Sequence, residues 1–512
     1  MSVITGLKNR LIAMTVAIPL FSGSMAQSLS LRELQRLSLP VNRSFMQNYE
    51  HNPAAMLVRD SVSVSSIGAE DDFDHQEKPV MEQSGDGHNL FGLSAASYTR
   101  IGTESVVWGT ASFKTGTYRS VRWTDCIDYV RVAPYVLGDS AGGNLSTRCY
   151  RFSGGYARRF DRWSVGVQAA YRAEIAYRNR DPRIKTVVSD LDIVLGAAYT
   201  VAGKNMIGLK AGVNVYNQNC DLDFYNPLNE INTYTLTGLG TFYKRFMGNA
   251  NKNSGYSSFG YGVGLQWLPL QKQGLAATAG YSRYRMNQLL RNYNNLTLGY
   301  TDNDIVDWKI SYRKSFGAAL TVQPTFDGSL LRRKGTENLF GTSAGSSYDK
   351  IGSRSPYSHD LATFRLMLPV QIGRDVRSLT LTPAVVYESD EEKYSDPLRK
   401  SGASHIIPGF QADFSAVSGK NWLWETSVGA AYAKTCHSEV VLTELDPQTS
   451  LGQCVISNYE MRSADRLHFN AGAGLSRQFA NFILSLKISY RMADYRDEGL
   501  CQSAAVTLIA EF

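Results

Sequence analysis

A period of two, with charge on one of its two faces, constrains this chain more than any other feature. In RWSVGVQAAYRAEIAYR, residues 162–178, one face carries Trp163, Val165, Val167, Tyr171, Ile175 and Tyr177. The other carries Ser164, Gln168, Arg172, Glu174 and Arg178. In NFILSLKISYRM, residues 481–492, Phe482, Leu484, Leu486, Ile488, Tyr490 and Met492 alternate with Ser485, Lys487, Ser489 and Arg491. Alternation of this kind is a strand signal. Unpaired charges do not enter a soluble core, whereas a membrane barrel is apolar outside and polar within. The expected fold is all-β, a transmembrane antiparallel β-barrel of about 14–18 strands, always even.

Length and punctuation separate this reading from a large soluble sandwich or propeller. Candidate strands run well beyond the ~5–6 residues usual in soluble sheets. Short turns near 102–103, 160–161, 203–204, 271–273, 316–317, 373–375, 418–420 and 479–481 alternate with longer polar loops. Those loops are read at 68–90, 116–146, 179–185, 218–254, 285–305, 334–356, 392–402, 437–462 and 495–502. Short periplasmic turns with long outer loops are the outer-membrane pattern, and the count comes to about 18 strands. Strand one is placed near 57–67, and 233–246 is either a further strand or part of an outer hairpin. Trp163, Trp267, Trp422 and Trp424 lie near the short turns and read as a periplasmic aromatic girdle. The 44 glycines and 29 tyrosines against only 15 prolines agree with a large antiparallel structure.

The N-terminus reads as an export signal. Lys8 and Arg10 precede the apolar run Leu11–Phe21, and Ser24-Met25-Ala26 offers a small-x-small cleavage site. The expected division is 1–26 signal peptide, 27–56 N-terminal segment and 57–512 barrel. Formal net charge falls only from +7 to +5 on cleavage, which gives no ground for a nucleic-acid partner. The expected location is the outer membrane, among its lipid and lipopolysaccharide.

Candidate chemistry is thin. Cys126, Cys149, Cys220, Cys436, Cys454 and Cys501 all fall toward the outer side of the expected topology, so disulfides are expected there. Cys126 with Cys149 and Cys436 with Cys454 would each close a loop of about 20 residues; Cys220 and Cys501 remain. Asp72, Asp74, His75 and His88 in the first outer loop could supply oxygen and imidazole ligands to a divalent ion. A solvated charge run is the bland alternative. The glycines of 133–160 lead into a strand, which suits bends and close backbone approach rather than phosphate binding. The basic turn YRNRDPRIK, 177–185, could meet acidic sugars. No histidine sits in a GxSxG or HExxH context, so neither an enzyme nor a cofactor is expected. Arg172, Glu174, Lys309, Arg313, Lys487 and Arg491 are read as lumen-facing.

The ending SAAVTLIAEF alternates to a terminal aromatic, and this resembles the signal read by the barrel-assembly machinery, with Phe512 as its last residue. Asn52-Pro53-Ala54, between a Leu-rich segment and the first strand, resembles the hatch loop of the long-chain fatty acid transporter superfamily. It also resembles that of the type IX secretion shuttle barrel. PYVLGDSAGGNLSTRCYRFSGGYARR with YRNRDPR resembles an uncharacterised family of outer-membrane barrels from Bacteroidota. The resemblance implies that residues 27–56 form a short N-terminal hatch plugging the barrel, and that a small, hydrophobic solute passes. The alternative is a non-conducting scaffold that docks a surface lipoprotein, a secretion component or a TonB-dependent receptor.

Overall fold

In a computed structural model of the chain, residues 29–512 are described, apart from 227, 229, 249, 318, 345, 346, 374 and 375. Eighteen long strands form one antiparallel wall. The first nine are β1 Val64–Gln76, β2 Gly87–Ile101, β3 Ser105–Val121, β4 Gly143–Phe160, β5 Trp163–Tyr177, β6 Arg183–Val201, β7 Asn205–Asp223, β8 Lys252–Pro269 and β9 Gly274–Leu290. The second nine are β10 Leu296–Phe316, β11 Thr325–Ala344, β12 Ser347–Met367, β13 Arg377–Ser395, β14 Leu398–Ser418, β15 Trp422–Leu442, β16 Arg466–Gln478, β17 Ile483–Tyr495 and β18 Gly499–Glu511. β18 pairs with β1, so the sheet closes and leaves no free edge. The terminal Phe512 exchanges both backbone hydrogen bonds with Ser65 at that seam. Pro324 and Pro369 cannot donate to the ladder. Each sets a short segment, Leu320–Val322 and Val370–Ile372, apart from β11 and β12, and these segments pair with each other.

The wall is apolar outward. On β8, Phe259, Tyr261, Val263 and Leu265 are each at least half exposed, while the residues between them face inward. Such a belt is stable against lipid and not against water. Trp163, Trp422 and Trp424 are exposed beside the short turns, and Trp267 is partly so. Among the described residues no helix is long and apolar enough to cross a membrane.

Both ends of the lumen are crossed by chain. At the end carrying the termini and the short turns lies the hatch. It comprises α1 Leu31–Ser38, α2 Pro40–Glu50, a 3-10 turn Pro53–Ala55 and α3 Met56–Arg59. Leu31 and Leu34 pack on Leu423 and Ile483 at one side. Met56 and Leu57 pack on Tyr98 and Trp108 at the other. At the loop end, residues 122–142 and 233–248 fold inward. Val136–Asp139 pairs with Thr233–Gly238, which pairs with Thr241–Phe242. This small sheet, the short α4 Tyr129–Val132 and α5 Ser450–Ser463 form a cap. Its core joins Trp123, Cys126, Val132, Val136, Leu451 and Cys454.

Several expectations change. Residues 57–59 are helical, and strand one begins at Val64, because the apolar side chains of 56–57 are consumed by the hatch. Residues 233–246 belong to the cap, not the wall. The long hairpins extend as strand through much of 285–305, 334–356 and 392–402, where cross-strand pairing continues. Asp72, Asp74 and His75 therefore lie on β1, not in a loop. His88 Nε2 stands 3.4 Å from Asp72, while His75, one residue from Asp74, takes the opposite face of the strand. Among the described residues no group of three or more such side chains is placed to hold a metal. All six cysteines are free thiols. Cys126 and Cys454 are in the cap core, whereas Cys149 and Cys436 are on wall strands β4 and β15, so neither expected pair forms. Arg178 is not available to sugars: it is buried against Asp139 at 2.7 Å and donates to Pro182 O at 2.8 Å.

Candidate functional site

The hatch is held by a row of small wall residues. Gly166, Gly196, Lys210, Gly264, Gly280 and Asp307 are direct cross-strand neighbours on β5, β6, β7, β8, β9 and β10. Four of the six carry no side chain, and the Asn52-Pro53-Ala54 loop lies on that bare backbone. A Cβ on Gly166 would come within 2.5 Å of the Pro53 carbonyl carbon, and one on Gly196 would overlap Asn52 Oδ1. A Cβ on Gly208, on the neighbouring row, would stand 2.8 Å from Asn52 Nδ2.

Asn52 explains why the chain turns there. Its backbone is extended, its Oδ1 accepts from Ala54 N at 2.9 Å, and Pro53 follows at the first helical position. This is side-chain capping with a proline that has no N–H to leave unsatisfied. The other half of the amide donates to Leu209 O at 3.1 Å and Ala197 O at 3.4 Å. One fully buried side chain thus caps the turn and ties it to β6 and β7. Nearby, Phe45, Tyr49, Ala54 and Ala55 pack on Ala198, Met206 and Leu268, and Tyr49 OH donates to Pro269 O at 2.5 Å.

His51 sits between this latch and the lumen. The Lys210 ammonium lies 3.3 Å from His51 Nδ1. An ammonium can only donate, so Nδ1 accepts and the docked imidazole is neutral. Burial, reinforced by the Lys210 charge, lowers the His51 pKa to about 4. A hatch free of the wall would regain the ordinary value near 6.5. The released form then binds the extra proton, so docking is at full strength above pH 6.5 and weakens as pH falls from there toward 4. Limited proteolysis of residues 29–60 is expected to be faster at pH 5 than at pH 7.5, and His51→Gln to abolish the difference. Equal rates for the native chain would contradict this role.

The charged residues singled out from the sequence divide by partner. Lys309 donates to Ser44 O at 2.9 Å and Gln47 Oε1 at 3.2 Å, and Arg313 contacts Asn42 and lies 5.6 Å over the Phe45 ring. These two hold the hatch. Arg172 meets Asp128 of the cap and Glu174 at 3.1 Å, so this pair holds the cap. Lys487 pairs with Glu425 on the wall at 3.1 Å, and Arg491 shares its face two register positions on.

The cap is tied to several sides of the barrel. Arg333 on β11 donates to Ala133 O at 2.7 Å and Val130 O at 3.0 Å, and Arg399 on β14 to Leu239 O at 2.7 Å. Tyr256 on β8 donates to Asp125 at 2.8 Å. Between cap and hatch remain two adjoining cavities that share Arg131 and Tyr284. One, of about 780 Å³, is bordered by Lys114, Arg151, Arg172 and Val130. The other, of about 470 Å³, is bordered by Lys210, Asp307, Asp192 and the glycines of β8.

Sequence reasoning found the loop, Lys309, Arg313 and Arg172. It missed the surface the loop rests on. That surface is written only as single inward-parity glycines on three separate strands, Gly166, Gly196 and Gly208, with no local pattern to mark them as a seat.

No curated protein matches the chain. Among solved structures it is similar to the ferric preacinetobactin receptor BauA of Acinetobacter baumannii, at 8% identity and TM-score 0.36, over 87% of this chain and 80% of that one. It is also similar to the copper transporter OprC, at 10% and 0.38 over 87% and 81%. A third is the CymD monoaromatic hydrocarbon channel, at 12% and 0.32 over 91% and 92%. Likenesses this loose carry nothing about substrate. Residues 53–508, from the latch proline to the last strand, match a family of unknown function, DUF6850. The chain with the latched hatch belongs to the DUF6850 family.

Proposed function

We propose that the protein is an outer-membrane barrel through which a small polar solute passes when the hatch leaves its latch and the cap opens. The carrying observation is a charged chamber lying between two inward-folded segments of chain, the lower of which rests on side-chain-free wall. The apolar belt and the tryptophans beside the short turns support placement in the outer membrane, with those turns in the periplasm. The lining bears on the solute. Lys114, Arg151, Arg172, Lys210, Asp192 and Asp307 border the chamber, a setting that favours a polar or charged solute over the hydrophobic one first expected.

A hatch held by polar bonds over glycine can leave without tearing a wall strand. The hydrogen-bond ladder of β5, β6 and β7 is complete without it. The test is swelling of proteoliposomes in a monosaccharide solution. Little swelling is expected with the full chain, and rapid swelling once residues 29–60 are removed and Arg178→Met has loosened the cap, in a barrel that still shows heat-modifiable mobility. Slow swelling in both would refute the reading.

A further inference from the structure

Lys210 and Asp307 stand in one row of the wall with only Gly264 and Gly280 between them. Both side chains lean inward along that row. A Cβ on Gly264 would lie 2.7 Å from Lys210 Cε, and one on Gly280 would lie 2.6 Å from Asp307 Oδ1. The two heads therefore rest over neighbouring strands, about 5 Å apart. They do not pair with each other, and among the described residues neither has an ion pair within 4.0 Å; Lys210 has only the His51 ring nitrogen. Opposite charges facing the same partly open cavity without meeting leave both incompletely compensated.

Above them the floor is bare. Gly212, Gly262 and Gly260 open the cavity of about 470 Å³, with Ser282 and Asn214 on its rim. A lone anion would satisfy Lys210 and leave Asp307 exposed to the low-dielectric wall, and a lone cation would do the reverse. One molecule carrying both charges a few ångströms apart satisfies both. We propose that this row is a binding site for a small zwitterion, an α-amino acid or short peptide. Its carboxylate meets the Lys210 ammonium and its ammonium meets the Asp307 carboxylate, both as charge-assisted hydrogen bonds.

The site is coupled to the latch. The ligand carboxylate competes with His51 Nδ1 for the same ammonium, so occupancy removes one of the hatch's attachments. The biological purpose of the site rests on the solute-path reading above. The binding does not, because it is measured at equilibrium in the closed barrel.

The experiment is calorimetric titration of the full chain in detergent micelles with glycylglycine, N-acetylglycylglycine and glycylglycinamide. Glycylglycine is expected to saturate one site. The acetylated peptide, which lacks the ammonium, and the amide, which lacks the carboxylate, are each expected to bind about ten- to a hundredfold more weakly. Lys210→Met should bind glycylglycine no better than the amide, and Asp307→Asn no better than the acetylated peptide. Absence of saturable glycylglycine binding to the native chain overturns the proposal, as do equal affinities for the three probes. The native-chain series decides the matter even where a variant does not fold. Swelling that fails to respond to combined hatch removal and cap loosening, with glycylglycine still bound to the native chain, would instead sink the solute path and leave the site standing.

Discussion

Gly196→Val is expected to dislodge the hatch from an intact barrel. The added side chain would occupy the position of Asn52 Oδ1, and no rotamer of valine avoids it, because the first new carbon already overlaps. Asn52 then loses both its turn contact and its bonds to Ala197 and Leu209. A buried amide left without partners costs about 1–3 kcal/mol, and the displaced Ala54 and Ala55 surrender their packing on Ala198 and Met206 as well. The β6 ladder tolerates the change, since valine suits a strand and the neighbouring outward face is untouched. Proteolysis within 29–60 should accelerate at least tenfold at pH 7.5, while heat-modifiable mobility of the barrel is retained. Unchanged protection would mean that the loop is not seated on Gly196.

Arg178→Met should open the opposite end. Arg178 and Asp139 form a pair in which both side chains are buried, at 2.7 Å, and the same carboxylate accepts from Gly142 N at 2.9 Å. Removing the guanidinium strands the Asp139 charge, a change that typically costs about 3–5 kcal/mol. The loss falls on the cap rather than on the wall, because Asp139 closes the short strand Val136–Asp139. Trypsin is expected to cut at Arg131 in the variant and not in the native chain, a local opening rather than global unfolding. The hatch should remain protected, so the two closures are separable. Asp139→Asn in the same background should restore part of the protection by removing the stranded charge; no rescue would mean the pair is not what holds the cap.

The fold was legible because a barrel wall writes itself in period two. Trp163 to Tyr177 alternates outward and inward as the pattern requires, and the short turns fall where the pattern breaks. The residues that face the lumen followed from the same parity, which is why Lys309, Arg313 and Arg172 were found without any knowledge of their partners. What could not be read was depth. Val136 and Leu137 look like a fragment of strand in a long loop, and nothing local says that the loop turns inward, setting Val136 in one cluster with Leu451 of α5 and Leu137 against Ile184 and Leu222 of the wall. The latch was half visible. Asn52-Pro53 announces a turn, but the glycines that receive it are over a hundred residues away on three strands, and only register brings them together. Cysteine spacing misled for the same reason: Cys126 and Cys149 flank one segment in sequence, while the fold sends one into the cap and leaves the other on the wall.

The central claim, that the Asn52 latch closes the lumen, is tested most directly by electrical recording in planar bilayers at pH 7.5. The native chain and Arg178→Met alone, whose hatch is still latched, should be silent, and Gly196→Val added to Arg178→Met should show discrete conductance steps under the same voltage. Steps of equal size from the native chain or from Arg178→Met alone would contradict the claim, as would a silent double variant whose hatch and cap are both demonstrably open to protease.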